Sequence, residues 1–86
     1  MKQIRNKIDA IDKKLIALLA KRKDLVVKLG EIKKKTGIPV QDDKREAEML
    51  LERAKLAKKH GLNPLLIKKL YTEIINESKR IQSHEK

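Results

Sequence analysis

Residues 4–33 read IRNKIDAIDKKLIALLAKRKDLVVKLGEIK, and the fold turns on how that stretch is read. Apolar side chains fall at Ile4, Ile8, Ile11, Leu15, Leu18, Leu25, Leu29 and Ile32. Steps of four and three alternate, which keeps one stripe along an α-helix. The pattern predicts a helix from about Lys2 to about Lys35, roughly 50 Å at 1.5 Å per residue. Gly37 is placed to take a left-handed stop and Pro39 prevents continuation, leaving Ile38 to Asp42 as a short loop.

Beyond that loop a second helix is expected from Asp42 or Asp43, with Asp43 and Glu46 forming a capping box. Its apolar face would be Ala47, Leu50, Leu51, Ala54 and Ala57, and His60-Gly61 would end it. Asn63 then reads as an N-cap and Pro64 as the first residue of a third helix. That helix carries Ile67, Leu70, Tyr71, Ile74 and Ile75 and should reach about Ser83. No strand signal, internal repeat or low-complexity segment interrupts the pattern. The expectation is an all-α chain, residues 1–86 as a single domain, with one long helix and two shorter ones. The first helix is nearly as long as the other two together, too long for an 86-residue monomer to cover its stripe. An intertwined helical homodimer is therefore expected.

Composition narrows the chemistry. The only aromatic residue is Tyr71, so a core must be built from Ile, Leu, Val and Ala. The absence of Cys excludes disulfides and thiol chemistry, and His60 and His84 alone make a poor zinc set, so no metal or cofactor is expected. No apolar run approaches the roughly 20 residues of a membrane span, and no apolar segment opens the chain as a targeting signal would; a cytoplasmic setting is the expectation. With 23 Lys and Arg against 12 Asp and Glu, the net charge is +11. Nucleic acid, an acidic surface or a small anionic substrate would each suit that charge.

The positions of the charges discriminate among these. Between Leu18 and Leu25 the stripe of the first helix passes through Arg22, and Lys33, eleven residues on, points within about 20° of it. Neither has a carboxylate three or four residues away. A charge withdrawn from water needs a partner, which must come from another helix or from a bound anion. Arg22 could instead pair with Glu46, Glu73 or Glu77 or act as a register device, and Lys33 could snorkel to water near the helix end. On the third helix the stripe continues at Ser78 and Gln82, which are neutral hydrogen-bond donors if they face inward and a fraying end if they do not. Arg45 opposes the dipole at the start of the second helix, a weak hint of use, though a solvated Arg near Glu48 would look the same. Glu46 could be a capping residue alone, and Arg5, beside Ile4, could be a surface charge.

Taken together these residues resemble the all-helical class of chorismate mutases. Residues 5–12 (RNKIDAID) and 15–22 (LIALLAKR) resemble that family's opening helix. Lys33 with residues 37–46 (GIPVQDDKRE) resembles its loop and second-helix start, and residues 74–78 (IINES) with Gln82 its third helix. The likeness runs from Arg5 to Gln82 without gaps. It implies a site for chorismate in which Arg5 enters from the opposite protomer, while Arg5 and Arg22 grip the two carboxylates with help from Ser78 and Arg45. Lys33 and Gln82 would hydrogen-bond the ether oxygen of the breaking bond, and Glu46, with the backbone near Asp42, would hold the ring hydroxyl. Spacing agrees with a shared site: Arg5 and Arg22 are 17 residues apart, about 25 Å along one helix, too far to hold one small molecule together. The implied activity is the rearrangement of chorismate to prephenate, in aromatic amino-acid biosynthesis, with Lys33, Gln82 and Arg22 carrying the catalysis.

Two other functions remain in view. An isochorismate pyruvate lyase shares the fold and a similar cationic site. A basic helical nucleic-acid-binding module would explain the charge but not the inward positions of Arg22 and Lys33, and it has one aromatic to offer for stacking; neither nucleic acid nor membrane is the expected partner. Lys35-Thr36-Gly37, residues 83–86 (SHEK) and the Asn76-Glu77-Ser78 triplet are chance matches to unrelated motifs, since they lack the structural context those need.

Overall fold

The computed structural model describes residues 1–84; Glu85 and Lys86, the end of the dismissed SHEK match, lie outside the described residues. Three helices follow one another: α1 Lys2–Thr36, α2 Asp43–Lys59 and α3 Pro64–His84. Among the described residues there is no strand.

Local chemistry explains the boundaries. Gly37 takes φ 73° and ψ 14°, and its N–H and that of Ile38 both close onto the Lys33 carbonyl, so α1 stops one turn past Lys33. At the end of α2, Gly61 sits at φ 72°, with Gly61 N–H donating to Lys58 O and Leu62 N–H to Ala57 O, the two bonds of a Schellman stop. Asn63 Oδ1 accepts from Leu65 N at 3.0 Å and caps α3, with Pro64 in the first turn. The start of α2 corrects the expected capping box. The cap is Asp42, in an extended conformation, whose Oδ1 accepts from Arg45 N at 3.0 Å. Asp43 is already inside the helix and takes a hydrogen bond from the Gln41 side chain instead. Either of two adjacent Asp residues could cap; the choice of Asp42 frees the Glu46 side chain from capping.

α3 packs on both other helices, whereas α1 and α2 do not pack on each other. The buried apolar set is small: Val26 on α1, Ala54 and Ala57 on α2, and Ile75 on α3. Small residues on α2 let α3 approach closely. A second close approach occurs at Gly30, where a Cβ would stand 3.1 Å from the Gln82 Cα.

The apolar stripe of α1 stays uncovered within the single chain in its second half as well. Val26 and Gly30 face α3, while Leu25 and Ile32 are 65% and 55% exposed. On an ideal helix Leu18, Leu25 and Ile32 lie on one side of Arg22, and Leu19, Val26, Gly30 and Lys33 on the other. Arg22 thus stands on the seam between two faces, of which α3 covers one. Ala47, Leu51 and Leu70 are likewise exposed rather than packed. Every residue from Met1 to Lys21 is exposed.

The dimensions follow from this. The chain measures 52 × 24 × 15 Å with a radius of gyration of 15.6 Å, against about 12 Å for a compact domain of this length. It exposes 7327 Å², about 2,000 Å² more than a compact monomer of its mass. Among the described residues no helix is long and apolar enough to cross a membrane.

Candidate active site

Because α1 and α2 stand apart, each against α3, a cavity of about 360 Å³ opens between them. That lies within the ordinary range for small-molecule sites. α1 contributes Arg22, Val26, Leu29 and Lys33; the loop and α2 contribute Val40, Asp42, Arg45, Glu46, Met49 and Arg53; α3 contributes Ile75, Ser78, Lys79 and Gln82. Seven of the eight residues expected from the sequence therefore meet in one cavity. Arg5 is the exception, lying on the exposed first half of α1.

Arg22 is half-buried and its Nη1 donates to Ser78 Oγ at 2.6 Å, while Ser78 Oγ donates to Ile74 O at 2.8 Å. One of five guanidinium N–H groups is thereby committed, and the fork is held in place with its charge unanswered. Among the described residues no carboxylate lies within 4.0 Å of Arg22 or of the half-buried Lys33. Of the three acids weighed as partners for Arg22, Glu46 pairs with Lys79 at 3.0 Å and Glu77 with Arg80, and Glu73 does not reach it. The hydrogen bond from Arg80 holds the Glu77 carboxyl below its usual range.

Ser78 and Gln82 are each 8% exposed, so they belong to the interior and are not a fraying end. The Gln82 Nε2 donates to Ser78 O at 3.2 Å, and the buried Oε1 has no partner among the described residues. Glu46 Oε2 is the second buried oxygen without a partner. An unanswered buried acceptor costs about 1–3 kcal/mol, a cost that a donor on a bound molecule would remove.

Two cavity residues were not legible beforehand. Arg53 lies seven residues after Glu46, on the same face by way of Met49, and is occupied by Glu52 at 3.2 Å and by the Tyr71 ring at 5.6 Å. Lys79 reads in sequence as one more solvated cation beside Arg80. The donor set suits a multiply anionic molecule: three cations without acid partners (Arg22, Lys33 and Arg45), neutral hydrogen-bonding groups, and one carboxylate with a free oxygen. Among the described residues there is no group of three or more His, Cys, Asp or Glu that could hold a metal ion.

Residues 4–83 match the family model for chorismate mutase type II. The chain is 43% identical over 75 residues to a T-protein of Enterobacter agglomerans, covering 87% of this chain and 20% of that protein. With the bifunctional chorismate mutase/prephenate dehydratase of Escherichia coli (strain K12) it shares 41% over 75 residues, 87% of this chain and 19% of that one. With the chorismate mutase of Methanocaldococcus jannaschii it shares 36% over 80 residues, 93% of this chain and 81% of that protein. The chain thus spans about a fifth of two of these relatives and most of the third.

Proposed function

The chain belongs to the chorismate mutase type II family, and from that premise we propose that it converts chorismate to prephenate by an intramolecular [3,3] rearrangement. The observation that carries this reading is the pair Arg22 and Lys33, turned into one cavity with no protein carboxylate on either. In the reaction an ether C–O bond breaks as a C–C bond forms within the same molecule, so no nucleophile or proton relay is required. What is required is a flexible dianion held folded, with the bonding carbons close.

Arg22 grips one carboxylate through its free N–H groups, with Ser78 and Arg45 assisting; a guanidinium fork suits that task better than an ammonium. Lys33 and Gln82 address the ether oxygen, where negative charge grows in the transition state, and so bind that state more strongly than the ground state. The Gln82 amide turned about its last bond would offer N–H in place of the unpartnered Oε1. Glu46 Oε2, with the backbone at Asp42, accepts from the ring hydroxyl.

Arg5 completes the site from a second copy of the chain. The exposed stripe Ile4, Ile8, Ile11, Leu15 and Leu18 supports that assembly, as does the surface excess over a compact monomer. It is an area of the size that permanent dimers bury. A cytoplasmic setting fits this reading. The position of the decisive cations, inside a cavity and off the exposed faces, favours a small anion over nucleic acid.

The test is direct. Purified protein should consume chorismate, followed by loss of its absorbance, and leave isochorismate intact. Pyruvate release from isochorismate would assign the site to lyase chemistry, and turnover of neither substrate would remove the reading altogether.

A further inference from the structure

Glu46 is held in a way that its proposed contact with a hydroxyl does not require. Its Oε1 takes Lys79 Nζ at 3.0 Å while its Oε2 stays buried and unpartnered. Lys79 also donates to Gln41 Oε1 at 3.4 Å. These are the side-chain hydrogen bonds that join α3 to the loop before α2 and to its first turn, among the described residues. At the far end of that hairpin the packing of Ala54 and Ala57 holds the helices together. At the cavity end the side-chain hydrogen bonds between them come from Lys79.

The surrounding charges make the orientation matter. Arg22 and Lys33 face the cavity from α1, and Asp42, Arg45 and Arg53 from the α2 side. Asp42 is engaged by Arg45 N, and Arg53 by Glu52. Among the described residues Arg22, Lys33 and Arg45 have no acid partner, and a Glu carboxylate on three rotatable bonds would swing to one of them if nothing held it. Such a swing would neutralise a cation needed for the substrate carboxylates and turn Oε2 away from the hydroxyl. An ammonium on Oε1 prevents both.

We infer that Lys79 is a positioning residue that fixes the Glu46 carboxylate as a single acceptor facing the cavity, and so sets selectivity for a substrate carrying a hydroxyl at that point. This rests on the assignment of Glu46 to the ring hydroxyl. The experiment compares kcat/KM for chorismate and for its analogue lacking the ring hydroxyl, in wild type, Lys79→Met, Lys79→Gln and Lys79→Arg. A hydrogen bond to a charged acceptor gives a preference for chorismate on the order of 10- to 100-fold in wild type. Lys79→Met should bring the preference below about threefold, Lys79→Gln should fall between, and Lys79→Arg should keep most of it. Circular dichroism establishes folding; if Lys79→Met does not fold, Lys79→Gln decides. A neutral variant that keeps the wild-type preference, or loses rate equally on both compounds, overturns the inference while leaving the mutase reading intact. Wild type that turns over neither compound overturns the parent reading and this one with it.

Discussion

The two halves of α1 continue one repeat and meet opposite surroundings. From Ile4 to Leu18 every apolar residue is exposed, and no cation interrupts the stripe. In the second half the helix meets α3 through Arg22, Val26 and Gly30, of which Val26 and Gly30 are buried, and Arg22 and Lys33 line the cavity where apolar side chains would otherwise be. Among the described residues, nothing buries the surface of the first half and no acid pairs with Arg22 or Lys33 in the second. The difference teaches that one helix can present an unburied apolar face and unpaired inward cations in series, and the proposed assembly and the proposed chemistry each take one half.

Breaking the first half should have the largest effect. Ile8→Glu together with Leu15→Glu places charges on the exposed stripe, and sedimentation should then show a 10.0 kDa species with loss of both cooperative melting and activity. A double variant that remained dimeric and active would separate assembly from this stripe. In the second half, Lys33→Ala should lower kcat by about 100- to 1,000-fold with the helical spectrum and sedimentation unchanged. Near-normal turnover in that folded variant would refute the role given to Lys33.

Gly30→Ala probes the contact between the second half and α3. The added methyl meets the Gln82 backbone at 3.1 Å, so α3 must shift by a few tenths of an ångström, and kcat should fall on the order of tenfold with KM less affected. Thermal stability should change little, because Ala gains about 1 kcal/mol of helix propensity that offsets the crowding. The mildest outcome joins the halves. Arg5→Ala and Lys33→Ala, each crippled alone, should recover about a quarter of wild-type activity when refolded together, since half the dimers then carry one intact site. No recovery would mean that Arg5 serves the site of its own chain or no site.

Helix ends were legible in the sequence because their causes are local: Gly37, Gly61, Asn63 and Pro64 act within a few residues of themselves. The cap of α2 was misread by one position because Asp42 and Asp43 are adjacent and chemically equal. Periodicity reveals that α1 has an apolar face but not which neighbour covers it: Leu25 and Ile32 on that stripe stay exposed in the single chain, and a second face, through Val26 and Gly30, meets α3. Four cavity residues, Arg22, Lys33, Ser78 and Gln82, are legible because charge or polarity on an apolar stripe is visible in one dimension, whereas Asp42, Arg45 and Glu46 follow from the family resemblance. Lys79 is not legible, since its reach across to Glu46 depends on the separation of two helices. Gly30 is a signal in its own right: a glycine inside a long helix weakens it, and the close approach of Gln82 is its reason.

The scarcity of interior in a single chain has a quantitative outcome for the cell. Among the described residues only Val26, Ala54, Ala57 and Ile75 are apolar side chains withdrawn from water, so under the proposed assembly most of the folding free energy would come from meeting another copy. Specific activity per milligram should therefore drop on dilution and return on concentration, along a mass-action curve. Expression level would then govern both how much catalyst is present and what fraction of it works.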